Sequence, residues 1–411
     1  MGKNKSARRI LIYSHDSFGL GHLRRCRAMA NSLVEQNPNL SVLILSGSPI
    51  IGSFDFKARV DFVRIPGIIK LRNGEYTSLS LHIDTEQTLA MRASIIRHTA
   101  ETFDPDIFIV DKEPYGLRGE VADTLDVLKK RGTHLVLGLR DVLDDPALLA
   151  PEWKRKNVLP ALENLYDDIW IFGVEQIYNP LAEIEIPARV KRKITYTGYL
   201  PRSVQSGTDP AILSEMNDPY VLITVGGGGD GEVLIDWVLR AYEEEKEPPL
   251  SALFVLGPFM PPETRASFRD RIAKLDRVRA VTFDSHLESL MEEASAVVAM
   301  GGYNTFCEIL SMDKRALIIP RTVPRLEQYI RSTRAAETGL IGVLIDDGIR
   351  SSETMLTALR QLAQQKKPSE VIIPGLLDGL TNLNRLVRLR FKSVDKRKSE
   401  SVSNLISKAV D

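Results

Sequence analysis

"YVLITVGGGGDGEVLIDWVL", residues 220–239, runs from an apolar, β-branched stretch through five glycines and one aspartate into a segment with helical periodicity. A strand that is apolar on both faces and turns straight into a helix is the repeating unit of a parallel sheet covered on both sides. The same unit recurs on either side of it. In the second half lie "SALFVLG" (251–257), "VRAVTF" (278–283), "AVVAMGG" (296–302), "RALIIP" (315–320) and "GVLIDD" (342–347). In the first half lie "RILIYS" (9–14), "SVLILS" (41–46), "DFVRIP" (61–66), "DIFIVD" (106–111), "HLVLGLRD" (134–141) and "DIWIFG" (168–173). Helix-length amphipathic segments separate the runs, so the fold class is α/β.

Two similar series imply two doubly wound, Rossmann-like domains facing a cleft. The boundary falls near 200, where "YTGYLPRSVQSGTDP" breaks the periodicity with Gly198, Pro201, Gly207 and Pro210. The expected domains are therefore residues 1–200 and 201–380, followed by a basic helical tail over 381–411. Open parallel sheets bind ligands beyond the carboxyl ends of their strands, so the residues just after each strand carry the functional reading.

The glycines at 226, 227, 228 and 229 let main-chain N–H groups approach an anion, and the following helix adds its unsatisfied donors and positive dipole end. This is a phosphate seat. Gly226, Gly228 and Gly231 also satisfy a dinucleotide fingerprint, but that motif needs a carboxylate about 20 residues on, at the end of the next strand. Here that strand ends in Val255, Leu256, Gly257 and Pro258, so a nicotinamide enzyme is disfavoured. In "AVVAMGGYNTFCEILSM" (296–312) a helix is expected to begin at Asn304 or Thr305, either of which can cap it. Glu308 then lies one turn in, where it serves either a diol or a capping box. In "IIPRTVPRLEQYIRSTRAAETGL" (318–340), Glu327 and Gln328 precede a helix closed by Gly339 and can bind sugar hydroxyls.

In this order the motifs resemble glycosyltransferase family 28, the MurG-like nucleotide-sugar transferases of the GT-B fold. "YTGYLPR" is similar to that family's interdomain segment, "VGGGGDG" to its donor loop, "GGYNTFCE" to its ribose and phosphate segment, and "EQ" to its donor-sugar pair. The resemblance implies that Gly227, Gly228, Gly302 and Thr305 meet the diphosphate, Glu308 the ribose, and Glu327 with Gln328 the hexose. It also implies that Phe283 and His286 of "VTFDSHLESL" border the nucleobase. The chain departs from the family at "SHDSFGLGH" (14–22), which keeps only Gly19, Gly21 and His22 of a longer glycine run.

His22 ends the first strand-to-helix loop, and inverting glycosyl transfer needs a base with a pKa near that of imidazole, about 6.5. Asp111, at a strand end, is the expected orienting carboxylate, with Asp16 as the alternative. Gly19, Gly21, Arg140 and Asp141 fall on the acceptor side. Arg24, Arg25 and Arg27 read as an exposed helix face, and Asp104 with Asp106 around Pro105 as a turn and not a metal motif.

Acidic and basic residues balance at 54 each, so no overall field draws in nucleic acid or an anionic membrane. Cys26 and Cys307 are too few for a disulfide framework and read as packed thiols. No run approaches the roughly 20 apolar residues of a membrane span. The expectation is a cytoplasmic enzyme with at most a peripheral membrane contact, for instance through Ile68, Ile69 and Leu71. It takes a nucleotide sugar as substrate, with no metal or other cofactor, and transfers the sugar to an unidentified acceptor, lipid-linked or saccharide. A 2-epimerase of the same fold and a non-catalytic sugar-nucleotide-binding regulator are the alternatives.

Overall fold

The computed structural model describes residues 7–15, 21–70, 75–204, 211–216, 218–227, 229–283 and 287–392. The first half forms strands β1 (Arg8–Ser14), β2 (Leu40–Ser46), β3 (Val60–Arg64), β4 (Ile68–Lys70), β5 (Tyr76–Ser78), β6 (Ile107–Asp111), β7 (His134–Arg140), β8 (Asp168–Phe172) and β9 (Ile194–Tyr196). The second half forms β10 (Tyr220–Thr224), β11 (Ser251–Val255), β12 (Val278–Val281), β13 (Ala296–Ala299), β14 (Arg315–Ile318) and β15 (Gly342–Val343). All twelve expected strands are present.

Each half is one parallel sheet, in the orders β3-β2-β1-β6-β7-β8-β9 and β12-β11-β10-β13-β14-β15. In the first, the direction of winding reverses between β1 and β6, which pair with Tyr13 opposite Val110. In the second it reverses between β10 and β13, with Thr224 opposite Ala299. At such a reversal the two connecting segments leave toward opposite faces of the sheet and open a crevice at the strand ends. The ends of β1 and β6 therefore deliver His15, His22 and Asp111 to one point, and the ends of β10 and β13 deliver 225–227 and 300–305 to another.

Two features were not expected from sequence. The 67–84 segment, read as an irregular loop, contains the antiparallel hairpin β4–β5. Its Ile68 is buried and so is not available to a membrane, while Leu71 lies outside the described residues. The segment read as linker opens on Tyr196, the last residue of β9, which is the seventh strand of the first sheet.

Beyond β9 the chain is pinned against its own later course. Tyr199 donates its N–H to Leu376 O at 2.8 Å, and Gly379 donates to Tyr199 O at 3.1 Å. Both crossing points require glycine: a Cβ at Gly198 would meet Gly375 O at 2.4 Å, and one at Gly379 would meet Tyr199 O at 2.4 Å. The helix over 379–392 then returns to the first half. Asn384 Nδ2 donates to Ser32 Oγ at 2.9 Å, and Arg390 forks onto Asp168 at 2.5 and 2.7 Å. This part of the expected tail is thus a docked helix; residues 393–411 lie outside the described residues. Among the described residues, no helix is long and apolar enough to cross a membrane.

Candidate functional site

The expected base and its carboxylate meet. His22 is the second residue of the Gly21–Gln36 helix, and its Nδ1 lies 2.5 Å from Asp111 Oδ2 at the end of β6. Arg25, one turn further along, places Nε 3.0 Å and Nη2 2.6 Å from Asp111 Oδ1. Burial alone would raise the Asp111 pKa, but Arg25 and His22 hold it below the usual carboxylate range. An ionised Asp111 accepts the Nδ1 proton, which leaves Nε2 as the imidazole's lone-pair position. Nε2 makes no hydrogen bond among the described residues, and the ring lines the interdomain cleft. Burial lowers the His22 pKa to about 4 against the opposing pull of Asp111. Asp16 and Gly19 lie outside the described residues; Gly21 lines the cleft, and its carbonyl accepts from Asn304 Nδ2 at 2.9 Å.

Across the cleft, β10 runs into the glycine loop. Gly226 adopts φ 63°, and a Cβ at Gly231 would come within 2.3 Å of Val225 Cβ, so the tight return into the Glu232–Glu244 helix demands glycine. Gly226 and Gly227 line the cleft; Gly229 is exposed outside it, and Gly228 lies outside the described residues. Asp230 reaches over to an ion pair with Arg321, just beyond β14, and both line the same space.

Beyond β13 the helix runs Tyr303–Ser311 with Gly302 at its N-cap and no side-chain cap, earlier than the expected start at Asn304 or Thr305. Its first-turn N–H groups therefore have no acceptor within the helix, and Gly302, Tyr303, Asn304 and Thr305 line the cleft. Asn304 is not a cap but a bridge, accepting from Arg202 Nη2 at 2.8 Å while donating to Gly21.

Glu327 and Gln328 open the Glu327–Glu337 helix and also line the cleft. Glu327 Oε1 takes Arg140 Nη1 at 2.6 Å and Arg331 Nη2 at 3.1 Å. Burial opposes its ionisation, yet Arg140 and Arg331 together pull its pKa down to about 2. Both contacts fall on Oε1, so Oε2 remains for a ligand hydroxyl. Gln328 Oε1 accepts from the Arg321 N–H at 3.2 Å, and its amide nitrogen has no partner among the described residues.

Three expectations need correction. Glu308 does not line the cleft: it is 0% exposed, one turn deeper than Thr305, and Arg24 fills the space above it. Arg24 Nη2 stands 2.6 Å from Glu308 Oε1 as an ion pair without hydrogen-bond alignment, and 2.7 Å from Glu288 Oε1. Burial pushes the Glu308 carboxyl up to about 7, with Arg24 opposing. Asp141 does not face an acceptor either. It is fully engaged by Arg331 Nε and Nη2, both at 2.7 Å, and by Tyr199 Oη at 2.9 Å.

The third correction concerns the arginines after His22. Arg24 and Arg25 are nearly enclosed and Arg27 is stacked on Phe54 at 5.0 Å; all three line the cleft where an exposed face was expected. Their position in the first two turns of a helix that starts at the strand ends was the available signal. Arg140 lines the cleft as expected. Phe283 lies at its rim, 43% exposed, and His286 falls outside the described residues. Asp104 ends the Thr85–Phe103 helix in the left-handed region and Asp106 lies in the bend before β6, where its buried carboxylate accepts the Arg9 N–H of β1. Both cysteines are buried.

Residues 221–370 match the glycosyltransferase family 28 C-terminal domain. Most of the second half of the chain is thus similar to a family 28 C-terminal domain. The whole chain has the GT-B fold, as superposition on solved structures shows. The glycosyltransferase of kitacinnamycin aligns with a TM-score of 0.60 at 13% identity, over 96% of this chain and 99% of that one. A putative UDP-N-acetylglucosamine 2-epimerase from Listeria monocytogenes gives 0.60 at 13% identity, over 94% and 96%. MurG from Acinetobacter baumannii gives 0.51 at 13% identity, over 95% and 99%. No curated protein matches the sequence. At these identities the likeness carries the fold alone, while the family 28 match reaches through the glycine loop, the Tyr303–Ser311 helix and the Glu327–Gln328 pair.

Proposed function

We propose that this protein is an inverting glycosyltransferase that moves a hexosyl or N-acetylhexosaminyl group from a nucleoside diphosphate sugar, with UDP as the expected nucleotide, to an acceptor hydroxyl. One observation carries the reading: the His22–Asp111 pair and the uncapped glycine-preceded helix of the family 28 domain face each other across one cleft.

In this reading the diphosphate sits against Gly226, Gly227, Gly302 and the Thr305 hydroxyl, held by main-chain N–H groups and the helix dipoles. Glu327 Oε2 and the Gln328 amide orient the hexose. His22 Nε2 removes the proton from the acceptor hydroxyl as its oxygen attacks the anomeric carbon from the face opposite the diphosphate. The bond from that carbon to the diphosphate breaks, and the electron pair leaves on the phosphate oxygen, where fixed N–H dipoles meet the developing charge. Asp111 holds the imidazole in the required tautomer and faces the imidazolium that forms.

A panel of nucleotide sugars screened for thermal stabilisation tests the donor, because a ligand that binds only the folded chain raises its stability. With the best donor, His22→Ala should still be stabilised, while transfer of the sugar to added acceptors or water, read as nucleoside diphosphate set free, falls by about 10²- to 10⁴-fold. Stabilisation by none of the panel would overturn the donor site. Undiminished release by His22→Ala would overturn the base. Conversion of the donor sugar to its 2-epimer without transfer would favour the epimerase, and tight binding with no turnover in either protein would favour a regulator.

A further inference from the structure

Arg25 sits where no carboxylate chemistry requires a second cation. It is 1% exposed, one helical turn from His22, with its guanidinium 5.3 Å from the centre of the Tyr303 ring across the domain interface. Its fork grips Asp111 Oδ1, leaving Oδ2 to His22. The same Nη2 lies 3.0 Å from His22 Nδ1. A nitrogen already donating its proton to Asp111 cannot also accept one from arginine, so this contact sets a fixed positive charge against the protonated edge of the imidazole. We propose that Arg25 is a positioning residue for the transfer reaction: it fixes Asp111 and, as a like charge beside the ring, adds to burial in holding His22 neutral with Nε2 open to the acceptor hydroxyl. The consequence for catalysis rests on His22 being the base; the effect on the imidazole does not.

The groups around the ring set the expected direction. Asp111 at the end of β6 attracts a proton to it. Arg25 on its own helix and Lys112 beside Asp111 repel one, and buried His15, at 5.6 Å between ring centres from the end of β1, adds repulsion whenever it is charged. A carboxylate at hydrogen-bonding distance raises the pKa of an imidazole, burial of the ring is the larger opposing effect, and Arg25 adds to it. Arg25 is the nearest of the opposing cations and the one that also touches the carboxylate.

The test reads the imidazole directly, by ¹⁵N NMR of histidine-labelled full-length protein, with the His22 signals assigned by their loss in His22→Gln. In the wild type, His22 at pH 7 should be neutral, protonated on Nδ1, with a midpoint below 6.5. Arg25→Gln should raise that midpoint by about one pH unit, roughly tenfold in the protonation equilibrium. Arg25→Lys, which keeps the charge but loses the fork, should leave it within about half a unit of wild type. A folded Arg25→Gln protein with an unchanged midpoint overturns the proposal. If that variant does not fold, the wild-type spectrum decides alone, because a cationic His22 at pH 7, or one protonated on Nε2, is incompatible with the assignment. Undiminished transfer by His22→Ala would instead sink the base reading and leave the Arg25 shift measurable.

Discussion

Burial strips water from the His22 ring and lowers its pKa to about 4, whereas in the unfolded chain an exposed imidazole titrates near 6.5. The sign of the linkage follows. Below pH 6.5 the unfolded chain takes up a proton that the folded one refuses, so unfolding gains as pH falls. The stability associated with a neutral His22 is complete above about 6.5 and is lost progressively toward 4. Buried His15, also lowered by desolvation, contributes in the same sense. His22→Gln should therefore show a shallower fall in urea midpoint between pH 6.5 and 4.5 than wild type, with the His15 share remaining. Parallel curves for the two proteins would mean that the imidazole titrates normally. A glycine illustrates how far a single residue can be read: Gly231 stands in a run whose purpose was legible, but only the 2.3 Å approach to Val225 shows which member cannot accept a side chain.

At the scale of elements, what the sequence made legible was the strands and the residues just past them. Fully buried parallel strands read as continuous aliphatic runs, and a crevice at their carboxyl ends follows from the winding. The three short strands escaped notice because three residues of "IIK", "YTS" or "ITY" carry no periodicity to detect. The arginines at 24, 25 and 27 were misplaced for a different reason. Composition says that a charged helix face meets solvent, and the one local sign against it is that these residues open a helix that follows a strand end. Glu308 was set at the right helix but the wrong depth.

Its depth gives a prediction at this scale. Arg24 touches both Glu308 and Glu288, so a shift of its bridge wholly to Glu288 would uncover Glu308 for the ribose hydroxyls. Glu308→Gln should then weaken binding of the preferred donor by about tenfold or more, the loss expected when a charged acceptor of hydroxyl hydrogen bonds is removed. Glu288→Gln should also weaken it, but less, because the amide oxygen at 288 can still accept from Arg24 once the arginine leaves Glu308. Calorimetric titration of both variants decides the matter. A larger loss in Glu288→Gln would make Glu288, which already lines the cleft, the ribose carboxylate.

The whole molecule is joined by polar contacts that cross the cleft and by apolar packing that continues beneath it. One buried cluster includes Ile10 and Trp170 from the first half, Tyr199 from the crossing and Leu222 and Phe306 from the second. Above it, Asp141 at the end of β7 receives the full fork of Arg331 from the Glu327–Glu337 helix, with neither side chain more than 1% exposed. A buried ion pair is a weak source of net stability, because desolvation offsets most of the attraction, but removal of one partner strands the other charge. Arg331→Ala should therefore destabilise the protein by about 3–5 kcal/mol in urea unfolding. It should also weaken donor binding, since Glu327 loses its 3.1 Å contact to the same guanidinium. Pairing it with Asp141→Leu removes the stranded carboxylate and should recover part of the stability. Donor binding should not recover, because nothing in that second change restores the charge beside Glu327. Recovery of both together would show that Arg331 acts on the sugar pair only through domain docking, and recovery of neither would show that the Asp141 charge is not what the arginine compensates.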